Sequence, residues 1–262
     1  MSDIHPSVGM NMDHDGMIRF WDQYSDHYSS MQQGDIPKRI VDRLFRLGML
    51  TEDDCVMEVG SGPGTYSFEI APRVRILVCM DSSPRMLAHL REGMDERKID
   101  NIELFEKDWD SYVPTKGYDA CIATLCPGSG SPESICRMEG TARRSCTLVS
   151  WIVNHGDDLN AMLWKELGKD YGYDFRSSTA VQDWLRDNGR GPIVEFFKAE
   201  ITADIPLSVL AEKERAAFAA YGIEIDAERM IRKLLKDNLE GDILHYHAVN
   251  EMKMISWRTD SD

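Results

Sequence analysis

Val56-Met57-Glu58-Val59-Gly60-Ser61-Gly62-Pro63-Gly64-Thr65 is the stretch on which the reading of this chain turns. A short apolar run carrying an acid is followed by three glycines at every second position, and then by a helix-forming segment. The run reads as a buried strand, and the glycines as a turn that brings bare backbone against a ligand. In a dinucleotide-binding turn, two residues separate the third glycine from the second. That place is taken here by Thr65, whose side chain is branched; the third glycine is Gly64 instead. Glu58 stands two residues before the first glycine.

Outward from the turn, strands and helices alternate. Cys55–Val59 is the first strand, and a helix over 65–71 stops near Pro72. Further apolar strands are predicted over 74–80, 101–106, 118–124 and 146–153, with helices over 84–97 and 132–144. Apolar strands alternating with helices argue for a parallel sheet covered on both faces. Upstream, Phe20, Trp21, Tyr24, His27 and Tyr28 recur at helical spacing within 18–31. A second helix over 37–47 opens with Pro37 and stops at Gly48. Residues 1–17, polar and rich in methionine, are expected to be mobile. Downstream, helices are predicted over 159–171, 179–188, 207–221 and 226–239, and strands over 192–201 and 250–257.

The arrangement of Glu58, Gly60, Gly62 and Gly64 resembles the first motif of class I S-adenosylmethionine (SAM)-dependent methyltransferases. The resemblance covers about 36–258, with its specific motifs between 56 and 127. It implies an α/β, Rossmann-like fold: a seven-stranded, mostly parallel sheet with helices on both faces and the last strand antiparallel, inserted beside the sixth. An N-terminal helical cap would occupy 1–50, and the methyltransferase domain 51–262, with a helical insertion at about 205–240. Cap and insertion are both candidate lids.

The same resemblance assigns a SAM site. Gly60, Ser61, Gly62 and Gly64 would line the methionyl part, with Glu58 receiving its ammonium through a hydrogen bond or water and a helix N-terminus near Thr65 facing its carboxylate. Asp81, ending the second strand in Val78-Cys79-Met80-Asp81-Ser82-Ser83-Pro84-Arg85-Met86-Leu87, would accept both ribose hydroxyls, with Ser82 and Met86 along the adenosine. An acid there serves nicotinamide enzymes equally well, so the glycine spacing decides the cofactor. After the third strand, Asp108 would bond the adenine amino group and Trp109 would pack on the ring. Leu125 and Cys126, ending the fourth strand, would face the methyl group, and Tyr28 would close over the cofactor, with Tyr24 toward the substrate.

The fourth-strand loop Leu125-Cys126-Pro127-Gly128 lacks the Asn-Pro-Pro-Tyr clamp often found in enzymes methylating nucleic-acid or protein nitrogens. His155, past the fifth strand, is a candidate general base because imidazole titrates near neutral pH. His245 and His247 form a His-x-His pair, which by itself does not make a metal site, and no metal is expected.

Composition narrows the partners. Thirty basic against forty-five acidic residues give a net charge of −15, so a phosphate backbone would be repelled over most of the surface. A small-molecule substrate is expected, and no nucleic acid or membrane partner. No apolar run approaches membrane-spanning length, and the first residues lack a secretory pattern, which makes the cytoplasm the expected compartment. The six cysteines include no C-x-x-C pair. Two other classes share parts of this pattern: an NAD(P)-dependent oxidoreductase, against which Thr65 counts, and a non-catalytic SAM-binding regulator. The methyl acceptor and the oligomeric state stay open at the level of sequence.

Overall fold

A computed structural model describes residues 14–28, 33–155, 159–169 and 177–259. In chain order the elements are α1 (His14–Tyr28), α2 (Ile36–Arg46), β1 (Cys55–Val59), α3 (Ser67–Ile70), β2 (Ile76–Asp81), α4 (Pro84–Arg97), β3 (Ile102–Glu106) and β4 (Tyr118–Thr124). They continue with α5 (Pro132–Thr141), β5 (Ala142–His155), α6 (Leu159–Glu166), α7 (Ser177–Asp187) and β6 (Ile193–Pro206). The chain closes with α8 (Leu207–Ala219), α9 (Ala227–Leu234), β7 (Leu239–Glu240) and β8 (Ile243–Arg258).

The sheet order is β3-β2-β1-β4-β5-β8-β6, with the two-residue β7 paired to β8 as an antiparallel hairpin. β1 pairs in parallel with β2 and β4, and β2–β3 and β4–β5 are parallel too. The last strand is antiparallel and lies beside the sixth, as the resemblance implies. The strand order reverses between β1 and β4. In open α/β sheets the crevice beyond the carboxyl ends of the strands at such a reversal is where ligands bind. The quoted glycine turn begins there, one residue after β1 ends at Val59.

The chain divides into two compact units. The larger comprises 35–152, 175–198 and 251–262. On one face of its sheet, Met57, Val59, Val78, Met80, Cys121, Ala123, Cys146 and Leu148 join Ile135 and Met138 of α5 in a buried cluster with Trp257. Val56 and Glu58, out of phase by one residue, point to the other face. Within α2, the buried Ile36, Ile40, Val41 and Leu44 recur at the helical spacing read from the sequence.

The smaller unit comprises 1–34, 153–174 and 199–250. Its core gathers Leu163 and Trp164 of α6, Leu207, Leu210 and Phe218 of α8, Ile231 of α9 and Leu244. Trp164 packs on Phe218 with ring centroids 4.6 Å apart. A satellite cluster holds Phe20 and Tyr24 of α1 with Ala217.

Two elements differ from expectation for identifiable reasons. The helix expected over 65–71 is a single α turn, α3, running into a 3-10 turn at Ala71–Arg73. Pro72 has no N–H to give, and Tyr66 before the helix makes no side-chain cap. A four-residue helix carries little macrodipole, so the expected positive helix end beside the ligand is absent as such. β5 starts at Ala142, where the sequence reads as the tail of a helix. Arg143 is taken by Asp119 at 2.8 Å, and Arg144 by Asp54 and the Gly48 carbonyl, so tertiary partners override a weak helical preference.

α4 matches its predicted span, because its start is fully specified. Ser83 is the N-cap, its hydroxyl accepting the Met86 N–H at 3.1 Å, and Pro84 sits in the first turn. Ser83→Ala should therefore lower stability by about 1 kcal/mol in chemical denaturation. An unchanged midpoint would show that the cap is dispensable.

Candidate functional site

The three glycines of the turn all take positive φ: +65° at Gly60, +54° at Gly62 and +97° at Gly64. Each is a conformation that a Cβ penalises. The crowding that excludes a Cβ at two of them comes from the protein's own side chains. A Cβ on Gly60 would lie 2.5 Å from the Cys126 sulfur, and one on Gly64 would lie 2.8 Å from the Phe68 ring.

The turn is hung from β2. The N–H groups of Gly60 and Ser61 both donate to the Met80 carbonyl, at 2.8 and 3.0 Å. Asp81 takes over from there: its Oδ2 accepts the Gly62 N–H at 2.8 Å and its Oδ1 the Ser83 N–H at 2.9 Å. One carboxylate thus joins the glycine turn to the start of α4. Burial pushes the Asp81 carboxyl up from its ordinary value, against the pull of the Ser83, Gly62 and Ser82 amides. A carboxylate offers about four lone-pair directions, so the Ser83, Gly62 and Ser82 amides leave acceptor capacity for a ligand. Ser61, beside it, is 6% exposed, and its hydroxyl is buried with no hydrogen-bond partner among the described residues.

Glu58 is placed differently from its sequence-based role. It is fully buried, and its Oε2 accepts from the Ser67 hydroxyl at 2.6 Å, with the Cys79 thiol at 3.7 Å. Thr124 donates to Oε1 at 3.4 Å. A side chain with no exposed surface cannot receive a ligand's ammonium directly; this carboxyl braces β1, β2, β4 and α3 beneath the turn. Burial drives its pKa up to about 7, although the hydrogen bonds from Ser67, Cys79 and Thr124 oppose the shift.

At the end of β4, Leu125 has φ +53°, a left-handed conformation that is strained for a leucine, and its N–H donates to Val149 at 2.9 Å. The bend turns Cys126 back against Gly60. Its thiol lies in an apolar setting near Asp81, Asp110 and Asp108, and burial first, then these charges, hold it protonated. Ser129 closes the loop by donating to the Cys126 carbonyl at 2.6 Å.

Met86 is buried on α4 and Ser82 is half-buried beside Asp81. Asp108 caps its own turn, accepting the N–H groups of Asp110 and Ser111. Trp109 lies in the core at 7% exposure, its N–H donating to Ser134 at 2.8 Å and its ring stacked on Tyr112 with centroids 5.6 Å apart. The Arg137 guanidinium lies 5.4 Å from the same ring. Little of the indole is therefore left to stack on a base.

The larger unit thus brings together Glu58, Gly60, Ser61, Gly62, Gly64, Asp81, Ser82, Met86, Leu125 and Cys126. Tyr24 and Tyr28 belong to the smaller unit. There Tyr24 is buried, stacked on Phe20 at 5.3 Å, and Tyr28 meets Trp21 edge-on at 5.6 Å. His155 is the last residue of β5, and its side chain lies outside the described residues, as do Gly156, Asp157 and Asp158. His245 sits on β8 between Asp204 at 2.8 Å and Glu240 at 3.2 Å, whose hydrogen bonds raise its pKa. Among the described residues, no cluster of His, Cys, Asp and Glu is arranged to hold a metal ion, and no helix is long and apolar enough to cross a membrane. Ser67, Phe68 and Thr124 were not legible as site residues. Only Ser83, directly before Pro84, carried a signal, that of an N-cap.

Residues 56–137 match the family model described as a methyltransferase domain. Over 85 residues, 31% of this chain, the sequence is 27% identical to ribosomal RNA small subunit methyltransferase A of Halothermothrix orenii, and the match spans 28% of that protein's length. Among solved structures the chain is similar to YcgJ of Bacillus subtilis, at 10% identity and a TM-score of 0.53, over 86% of this chain and 99% of that one. It is also similar to DhpI in its complex with SAM and HEP, at 14% identity and a TM-score of 0.50, over 71% and 94% of the two chains. At these identities the structural likeness is one of fold.

Proposed function

We propose that the chain, whose residues 56–137 match a methyltransferase-domain model, is a class I methyltransferase that transfers the methyl group of SAM to a small-molecule acceptor. The observation that carries the proposal is the Asp81 carboxylate at the carboxyl end of β2, fixed by Gly62 and Ser83 beside a turn whose Ser61 hydroxyl is buried without a partner among the described residues. These residues fit the donor. Asp81 holds the ribose hydroxyls, and the turn from Gly60 to Gly64, with the Ser61 hydroxyl, holds the methionyl end. SAM supplies a methyl group on a positively charged sulfur, an electrophile that needs no activation by the protein. The residues of this chain therefore act by binding and alignment, which alone can remove several kcal/mol from a barrier between two reactants. Cys126, protonated and packed against Gly60, acts as a wall and not as a nucleophile.

Two features favour a small acceptor over a nucleic acid: the net charge of −15 and the polar-poor loop Leu125–Gly128. The curated relative that acts on ribosomal RNA is matched over only 28% of its length, so its substrate does not transfer with the match. Incubation with methyl-labelled SAM, followed by separate counting of small-molecule and RNA fractions, tests the reading. Label is expected in a member of a broad panel of hydroxyl, amine and thiol acceptors. Label appearing only in RNA would overturn the choice of acceptor. Tight NADH binding with no SAM binding would overturn the proposal as a whole.

A further inference from the structure

The Phe68 ring meets two glycines from different elements with one edge, Cε2 and Cζ. One is Gly64, the third glycine of the turn, where a Cβ would lie 2.8 Å from the ring and 3.2 Å from Leu90. The other is Gly93, within α4, where a Cβ would lie 2.4 Å from the ring. The Arg97 guanidinium covers the ring at 4.3 Å and donates to the Gly93 carbonyl at 3.2 Å. Gly93 is an anomaly by helix preference alone, since alanine is much the better helix former in an ordinary helix interior. Its bareness is explained by the ring it accommodates.

We propose that Phe68, keyed against Gly64 and Gly93, is a positioning residue that sets the height of the glycine turn and hence the affinity for the methyl donor. The proposal rests on the reading that this turn holds SAM. Through Phe68 the turn is coupled to α4, the helix that begins beside Asp81. The methionyl-binding backbone and the ribose-binding carboxylate are thereby held in one register by a contact that touches neither end of the ligand. A methyl group added at Gly93 would lie 2.4 Å from the half-buried ring, so the ring must shift, and its contact with Gly64 shifts with it.

Direct titration with SAM tests this on four full-length proteins: wild type, Gly93→Ala, Phe68→Leu, and the double variant, each checked for a cooperative thermal transition. Gly93→Ala is expected to weaken SAM binding about tenfold by crowding the ring. Phe68→Leu is expected to weaken it about fivefold by slackening the contact. In the double variant the added methyl replaces removed ring volume, and the affinity is expected to return to within about threefold of wild type. Such mutual rescue is a signature that independent losses of stability would not give. A folded Gly93→Ala protein with wild-type affinity would overturn the proposal, as would a double variant at least as weak as the product of the singles. Should Gly93→Ala not fold, Phe68→Leu decides: unchanged affinity overturns the proposal. Absence of SAM binding by the wild type would instead defeat the functional reading, and this proposal with it.

Discussion

Asp81→Ala is expected to raise the dissociation constant for SAM by about two orders of magnitude. A hydrogen bond to a charged group contributes roughly 1.5–3 kcal/mol, and two ribose hydroxyls on one carboxylate make two of them. Their loss amounts to roughly 3 kcal/mol or more, and each 1.4 kcal/mol is about tenfold in affinity. The carboxylate also holds the Gly62 N–H at 2.8 Å and the Ser83 N–H at 2.9 Å, so its removal loosens the turn and the start of α4 together. Asp81→Asn retains one oxygen acceptor and should lose less, about tenfold. Isothermal titration of the two variants, with circular dichroism to confirm the fold, separates the effects. An alanine variant binding SAM within about threefold of wild type would remove Asp81 from the site.

The second large effect concerns Glu58, and it appears in stability against pH. Burial raises its pKa from the ordinary 4.5 to about 7 in the folded chain. Between these values the folded state holds a proton that the unfolded state releases, so stability falls as pH rises through that window. Below about pH 4.5 both states are protonated and there is no penalty; above about pH 7 the penalty is complete, roughly 3 kcal/mol. Glu58→Gln keeps the shape of the neutral acid and its carbonyl acceptor for Ser67, but cannot ionise. The variant should therefore equal wild type below about pH 4.5 and exceed it at pH 8 by several degrees in thermal midpoint, at roughly 2–4 °C per kcal/mol for a chain of this size. SAM affinity should change less than about threefold, because the carboxyl presents no surface to a ligand. Parallel pH–stability curves for the two proteins would show that Glu58 does not carry the penalty. A tenfold loss of SAM affinity would restore it as a ligand residue.

Much of the fold was legible because local signals agreed with one another. The alternation of apolar strands and helices, the glycine turn after β1 and the Ser83-Pro84 start of α4 each follow from short-range chemistry. Boundaries failed where partners distant in sequence decided them. Arg143 and Arg144 read as the end of a helix, and only Asp119, Asp54 and the Gly48 carbonyl make them the start of β5. Within the site, the positions that end strands were legible from the motif, since the carboxyl end of a strand faces the ligand crevice in this architecture. Side-chain roles were less so. Glu58 reads as a ligand residue, yet it is sealed against Ser67, Cys79 and Thr124; Trp109 reads as an adenine platform, yet its N–H is held by Ser134 in the core.

By itself, the sequence determined that this is a mostly parallel α/β chain with a glycine turn after its first strand and an acid, Asp81, ending its second. Glycine spacing, strand-end acids and apolar periodicity are properties of neighbouring residues, and neighbours in sequence stay neighbours in the fold. What only the tertiary structure decided is which atoms surround each side chain. That Gly60 makes room for Cys126, that Gly64 and Gly93 make room for Phe68, and that Glu58 is buried while Asp81 keeps acceptor capacity are all facts about residues brought together across the sheet. Burial and close packing are set by the whole chain at once, and they determine whether a carboxylate is a brace or a binding group.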